Sequence, residues 1–166
     1  YYPDSKGDLF ACFLERAISF CEPRGITSMI TMQSWLFLSS YEALREKIIS
    51  DRTILNMTKI GYNSFPSMNS KLAQAAVFSI KNFPAKNYAG SYLDLNDSPQ
   101  NANKQEVFKR KARENLFLKL NNDDHRKIPG SPIICSMQNS IRSVFQQSPS
   151  FKDYARPAVG LNTGDN

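Results

Sequence analysis

Apolar positions recur at helical spacing near the start of the chain, at Leu9, Phe13, Ala17 and Phe20, with Phe10, Leu14 and Cys21 beside them. So broad a stripe predicts a helix laid on a sheet. Ser5 followed by Asp8 is a start signal of the capping-box kind, and Pro23 and Gly25 are stop signals. Ile26, Met29 and Ile30 then form a short apolar stretch, as in a mostly buried central strand of a parallel sheet. A second start signal, Ser39 with Glu42, opens a helix with Tyr41, Leu44 and Ile48 on one side. Two strand candidates follow, 53–60 and 73–80. The segment between them holds Gly61, Asn63, Pro66 and Asn69, is too long for a tight hairpin, and predicts an ordered loop with a function. The order helix, strand, helix, strand, strand is α/β, and its last two strands predict an antiparallel pair at the edge of a parallel sheet. This fits the second half of a doubly wound sheet. The first half would carry a Gly-rich turn, and the seven glycines include no G-x-G.

From Phe83 the texture changes. Pro84, Gly90, Asp97 and Pro99 punctuate a polar connector, "NANKQEVFKRKARENLFLKL" reads as a basic helix running into a short apolar segment, "KIPGSPI" as a rigid turn, and 137–145 as a short helix. The division predicted is 1–83 and 84–166. The net charge of +6 is uneven: residues 1–100 hold ten Lys/Arg against nine Asp/Glu, and residues 101–166 hold eleven against six. A basic end of this kind suits a polyanion, and Lys104, Lys109, Arg110, Lys111 and Arg113 fall on one predicted helix. No apolar run approaches the ~18 residues of a bilayer span, and no leader pattern is visible. Three cysteines (Cys12, Cys21, Cys135) without CxxC spacing read as reduced, buried side chains of a cytoplasmic protein.

Metal and covalent chemistry have little to build on. His125 is the single histidine, in "NNDDHRK", and with Asp123 and Asp124 it reads as a solvated loop. Glu42 and Glu46 read as a capping residue and a solvated one, Glu46 being flanked by Arg45 and Lys47. Gln33, Ser34 and Trp35 follow the first strand, at the strand ends where open α/β sheets bind ligands. Trp35 itself reads as core.

The ordered set is more specific than its parts. "DLFACFLERAISFCEPRGITSMITMQSWLFLSSYEALREKI" resembles the stretch after the catalytic tetrapeptide of adenine-specific DNA methyltransferases, above all the PglX-type enzymes of the BREX phage-defence system. "SFPSMNSKLAQAAVFSI" resembles the loop and strand of that family, with Asn69-Ser70-Lys71 where the family usually has Gly-Gly-Glu. "KIPGSPI" and "GLNTGDN" resemble its linker and its entry to the target-recognition region. The resemblance implies the C-terminal half of a class I (Rossmann-like) methyltransferase sheet, ending in an antiparallel strand pair, plus a mainly helical linker extension over 84–166. It implies S-adenosylmethionine as methyl donor, double-stranded DNA as substrate, and other phage-defence proteins as partners. By resemblance Phe65 stacks on the target base and Asp8, Phe10 and Phe13 line the cofactor. The basic cluster, not the resemblance, makes Lys109, Arg110 and Lys111 the expected contacts to DNA. The Asn-Pro-Pro-Tyr motif and the Gly-rich cofactor loop that the family needs are absent here, so the expectation is a fragment, inactive alone. Two functions follow: part of an adenine-specific DNA methyltransferase, or a non-catalytic DNA-binding or partner-binding remnant.

Overall fold

A computed structural model describes residues 2–65, 73–99, 101–137, 139–149 and 153–155. The expectations placed on Pro66, on Asn69-Ser70-Lys71 and on "GLNTGDN" lie outside these residues. The elements run α1 (Leu9–Phe20), β1 (Ile26–Met32), α2 (Glu42–Asp51), β2 (Thr53–Gly61), β3 (Ala75–Lys81), β4 (Ala89–Asp94), α3 (Lys104–Arg113), β5 (Leu118–Asn121), α4 (Asn122–Arg126) and α5 (Asn139–Gln147), with short 3-10 turns at Gln33–Leu36 and Ser39–Tyr41. The five strands make one mixed sheet in the order β1-β3-β2-β4-β5. β3 is antiparallel to both neighbours, β2 and β4 are parallel, and β5 closes the far side antiparallel.

Strand alternation divides the sheet into two unlike faces. On the inner face one row crosses all five strands: Met29, Phe78, Met57, Tyr92 and Leu118. Ala11, Leu14 and Ile18 of α1 and Leu44, Ile48 and Ile49 of α2 join the same core, and Trp35 meets Phe78 edge-on at 5.3 Å. On the outer face the adjacent row is polar throughout: Ser28, Ser79, Asn56, Ser91 and Lys119. Ser28 and Ser79 share a hydrogen bond of 2.9 Å.

Several expectations need correction. β1 does not lie against a parallel neighbour: among the described residues its partner is β3, which runs antiparallel to it, and Ile26 and Ile30 are each 59% exposed. The stripe Leu9, Phe13 and Phe20 is not on the sheet either. All three face outward, and α1 docks through its other side, because Ala11, Leu14 and Ile18 are the residues that close against β1 and α2. Neither capping box forms. Asp8 and Tyr41 hold the N-cap positions without a side-chain cap bond, while Ser5 Oγ donates instead to Glu15 at 2.8 Å. Beyond residue 83 the chain is not a helical extension apart from the sheet: β4 before α3 and β5 after it extend the sheet that β1–β3 begin, and Tyr92 and Leu120 enter its core.

The "KIPGSPI" turn is tied down by an unexpected group. Arg45 is buried, and its guanidinium donates to four backbone carbonyls: Trp35 (2.9 Å), Leu38 (2.6 Å), Gly130 (2.7 Å) and Ser131 (3.1 Å). Burial lowers its pKa, against the opposing charges of Glu42 and Glu46. Positive φ at Gly130 and Ser131 turns the chain there. Ile133 N–H then donates to Leu36 O at 2.8 Å, closing the segment over the 3-10 turn.

That closure also buries His125, which is no solvated loop residue. It sits in α4 with zero exposure, edge-on to Tyr92 at 5.0 Å, and its Nδ1 accepts from Ile134 N–H at 3.2 Å. All three cysteines are free. Cys135 is buried, which pushes its thiol up to about 12, whereas Cys12 and Cys21 are half-buried rather than buried.

Candidate functional site

Because β3 runs opposite to β1, β2 and β4, the carboxyl ends of those three parallel strands meet at one edge of the sheet. α1 starts at that edge, since Thr27 at the beginning of β1 donates to Ala17 O near the helix end (3.3 Å). Asp8 and Phe10, Gln33–Trp35, the Gly61–Phe65 turn and Asp94–Asp97 are thereby gathered on one rim. This is where an open α/β sheet offers a crevice.

On the rim Gln33 is buried, its N–H donating to Gln74 O at 2.8 Å and its side-chain amide donating to the Gln74 side chain. Trp35 is core, as read from sequence, with Nε1 donating to Thr31 Oγ1 at 3.2 Å. The Phe10 ring packs on Tyr41 at 5.8 Å. The Tyr41 hydroxyl is raised above its ordinary pKa by burial first and by the nearby Asp8 charge second. Phe13, one turn on, is 64% exposed. The structure therefore groups Asp8, Phe10 and Tyr41, with the Phe13 ring turned outward on the same helix.

The Gly61–Phe65 turn leaves β2 through two left-handed residues, Gly61 (φ 72°) and Asn63 (φ 57°). Ser64 Oγ donates to Gly61 O and accepts from Ala75 N–H at 3.0 Å, so the turn is tied to the start of β3. Asn96, two residues past β4, accepts from Tyr62 N–H through Oδ1 at 3.1 Å. Phe65 ends this described stretch 39% exposed.

The basic helix divides. Asn103 caps α3, accepting from Gln105 and Glu106 N–H. Lys109 and Arg110 face solvent, with Lys109 paired to Glu106 at 3.0 Å. Lys111 does not share their face. It is buried, and its ammonium donates to Asp94 O at 2.7 Å and to the Asp97 carboxylate at 2.6 Å. Lys104 also turns inward, to Leu95 O at 2.8 Å, and burial lowers its pKa.

Sequence reasoning passed over Arg45, Asn96 and Asn122, the last of which bridges Ile49 O, Arg52 O and Ile54 N–H. A signal existed for Arg45. It lies four residues after Tyr41 and three before Ile48, on the apolar side of its helix. No helix of the described residues is long and apolar enough to cross a membrane, and among them no three His, Cys, Asp or Glu side chains cluster to hold a metal ion.

Comparison with known proteins adds a family to this geometry. Residues 1–65 match the family model described as Eco57I restriction-modification methylase. Over 162 residues the chain is 36% identical to the adenine-specific methyltransferase BrxX of Escherichia coli O9:H4 (strain HS), a match that covers 98% of this chain and 13% of that protein. Over 170 residues it is 32% identical to the adenine-specific methyltransferase PglX of Lacticaseibacillus casei (strain Zhang), covering 100% of this chain and 14% of that protein. The chain spans a small part of the length of these curated relatives.

Proposed function

The chain is homologous, along its length, to a segment of the PglX and BrxX adenine-specific methyltransferases, and on that premise we propose that it serves within a larger adenine-specific DNA methyltransferase of phage defence or restriction-modification. In this reading residues 1–83, with β4 and β5 added from beyond them, supply the second half of a class I methyltransferase sheet, and the rest of 84–166 leads towards target recognition. The observation that carries it is the joint one: a 36% identical match that covers 98% of the chain, together with three parallel strand ends and the Phe65 turn on a single rim.

The chemistry asks for such a rim. The adenine amino nitrogen is a weak nucleophile because its lone pair is delocalised into the ring. An enzyme of this class takes the base out of the duplex and accepts hydrogen bonds from the amino group, freeing the lone pair for in-line transfer. Extrusion loses stacking worth a few kcal/mol. An aromatic face returns about 1–3 kcal/mol of that. Phe65, exposed in the turn that follows β2, is suited to that role.

S-adenosylmethionine, when bound, would supply an electrophilic methyl group. The residues expected to hold it fit in part. Asp8 is exposed and makes no cap bond, and Phe13 presents an open ring, so both are available to a ligand. The Phe10 ring is committed to Tyr41 and would act by backing the rim. Lys109 and Arg110 are available to duplex phosphates. Lys111, held by Asp97, is not.

The test is methyl transfer from labelled S-adenosylmethionine to adenine-containing duplex by the full-length methyltransferase. Phe65→Ala should lower kcat/KM by about tenfold, the rate equivalent of ~1.4 kcal/mol, and this chain alone should transfer no label. An unchanged kcat/KM in Phe65→Ala would remove Phe65 from base capture. Transfer by the isolated chain would overturn the reading as a whole.

A further inference from the structure

We infer that Asn96 is a positioning residue for base capture, and that the segment after β4 thereby sets the aim of Phe65. The inference rests on the base-stacking reading of Phe65 given above.

Three observations meet at Asn96. Its Oδ1 accepts the Tyr62 N–H at 3.1 Å, inside the turn that ends at Phe65. Its amide lies so close to Gly61 that a Cβ there would fall 1.6 Å from Oδ1 and 2.0 Å from Cγ. Gly61 thus has two reasons to be glycine, its positive φ and the presence of Asn96. Asn96 is itself held, since its N–H donates to Asp94 Oδ1 at 2.8 Å.

Asp94 is fixed in turn from two sides. Its Oδ2 accepts Lys59 Nζ of β2 at 3.0 Å and Ser136 Oγ at 3.1 Å, and Leu95 N–H donates to Lys59 O at 2.9 Å. The Asp94 side chain is almost fully buried, so these bonds act where water competes little. A second tie on the turn, through Ser64, comes from within the β2–β3 connection. Asn96 ties it from outside, from beyond β4. Without the amide oxygen the Tyr62 N–H loses this acceptor and the turn loses its anchor to the segment after β4. A stacking face misplaced by about 1 Å can slow a reaction a hundredfold without touching the reacting atoms.

The experiment uses the full-length methyltransferase, with 2-aminopurine at the target position to report the environment of the base. Asn96→Ala should lower kcat roughly tenfold, leave KM for S-adenosylmethionine and duplex affinity within about twofold, and move the 2-aminopurine emission of the complex to that of Phe65→Ala. The double variant should be no slower than Phe65→Ala alone, the non-additivity of one shared function. Asn96→Asp, which keeps an acceptor oxygen in place, should recover most of kcat. Asn96→Leu keeps the volume without the acceptor, so it should behave as Asn96→Ala does even if the smaller side chain loosens the strand end. Full kcat and parental emission in Asn96→Ala and Asn96→Leu, with Phe65→Ala impaired, would overturn the inference alone, as would losses that add fully in the double variant. An unimpaired Phe65→Ala would overturn the underlying reading and this inference with it.

Discussion

Replacing Arg45 by Met removes a buried guanidinium while keeping an unbranched side chain in its place. The structure sets the magnitude. Of the four carbonyls that accept from Arg45, those of Trp35 and Ser131 are bonded in fully buried surroundings, and those of Leu38 and Gly130 in partly buried ones. An orphaned buried acceptor costs about 1–3 kcal/mol. The two buried carbonyls therefore set a loss of about 2–6 kcal/mol, and the other two can regain water. The variant no longer buries a cation, which offsets part of the loss. A net destabilisation of about 3 kcal/mol is expected. Trp35 is the single tryptophan and is fully buried beside the clamp, so its fluorescence follows the transition directly. At a typical urea slope near ~2 kcal/mol/M the midpoint should fall by about 1.5 M. Arg45→Lys should fall between, because three ammonium donors cannot reproduce a planar fork aimed at four carbonyls. A midpoint for Arg45→Met within about 0.3 M of the parent would refute the clamp as a source of stability.

Four further outcomes are expected. Gly61→Ala should cost about 2 kcal/mol from its left-handed backbone alone, and more from the collision with Asn96, read as a lower urea midpoint. Glu46 has a lowered pKa, chiefly because Ser131 Oγ donates to it, with Arg126 adding to the effect against burial. Its contribution is therefore complete above the ordinary Glu value of about 4.3 and is lost as pH falls through the lowered folded value, so the midpoints of parent and Glu46→Gln should converge in acid. Lys109→Gln with Arg110→Gln should flatten the salt dependence of duplex binding by the full-length methyltransferase, while Lys111→Gln should leave that slope alone and lower stability by about 2 kcal/mol. The outward apolar side chains Leu9, Phe13, Phe20, Ile26 and Ile30 should make this chain alone self-associate in light scattering, and a monodisperse monomer would count against that.

What the sequence revealed follows from how local each signal is. α1, β1, β2 and β3 emerge from periodicity because each carries its own pattern over seven or more residues. The antiparallel β2–β3 pair follows from the missing crossover helix. Which face of α1 is buried could not be read this way: its apolar residues cover most of the circumference, and only the packing of Ala11, Leu14 and Ile18 decides. β4 escaped because "AGSYLDL" begins in a polar connector and owes its place to pairing with β2 far back in the chain. His125 and Arg45 have the same cause. Each is polar by type and buried by a segment, residues 128–135, that arrives from elsewhere in the sequence. On the rim, Phe65 was reached through family resemblance, whereas Asn96 carries no local signature at all.

The insertion of β3 between β1 and β2 has a consequence for synthesis on the ribosome. β1 and β2 run parallel but never touch in the sheet; they stand about 10 Å apart, two strand spacings, until β3 fills the gap. Among the described residues β3 is the strand partner of β1, so the side of β1 that faces β3 stays unpaired until Lys81 has left the exit tunnel. About 50 residues separate the end of β1 from the end of β3, and at ~5–20 residues per second translation leaves β1 waiting some 2–10 s. Throughout that interval a nascent strand bearing Ile26, Met29 and Ile30 is open to any other edge, and a ribosome pause upstream of β3 lengthens the exposure.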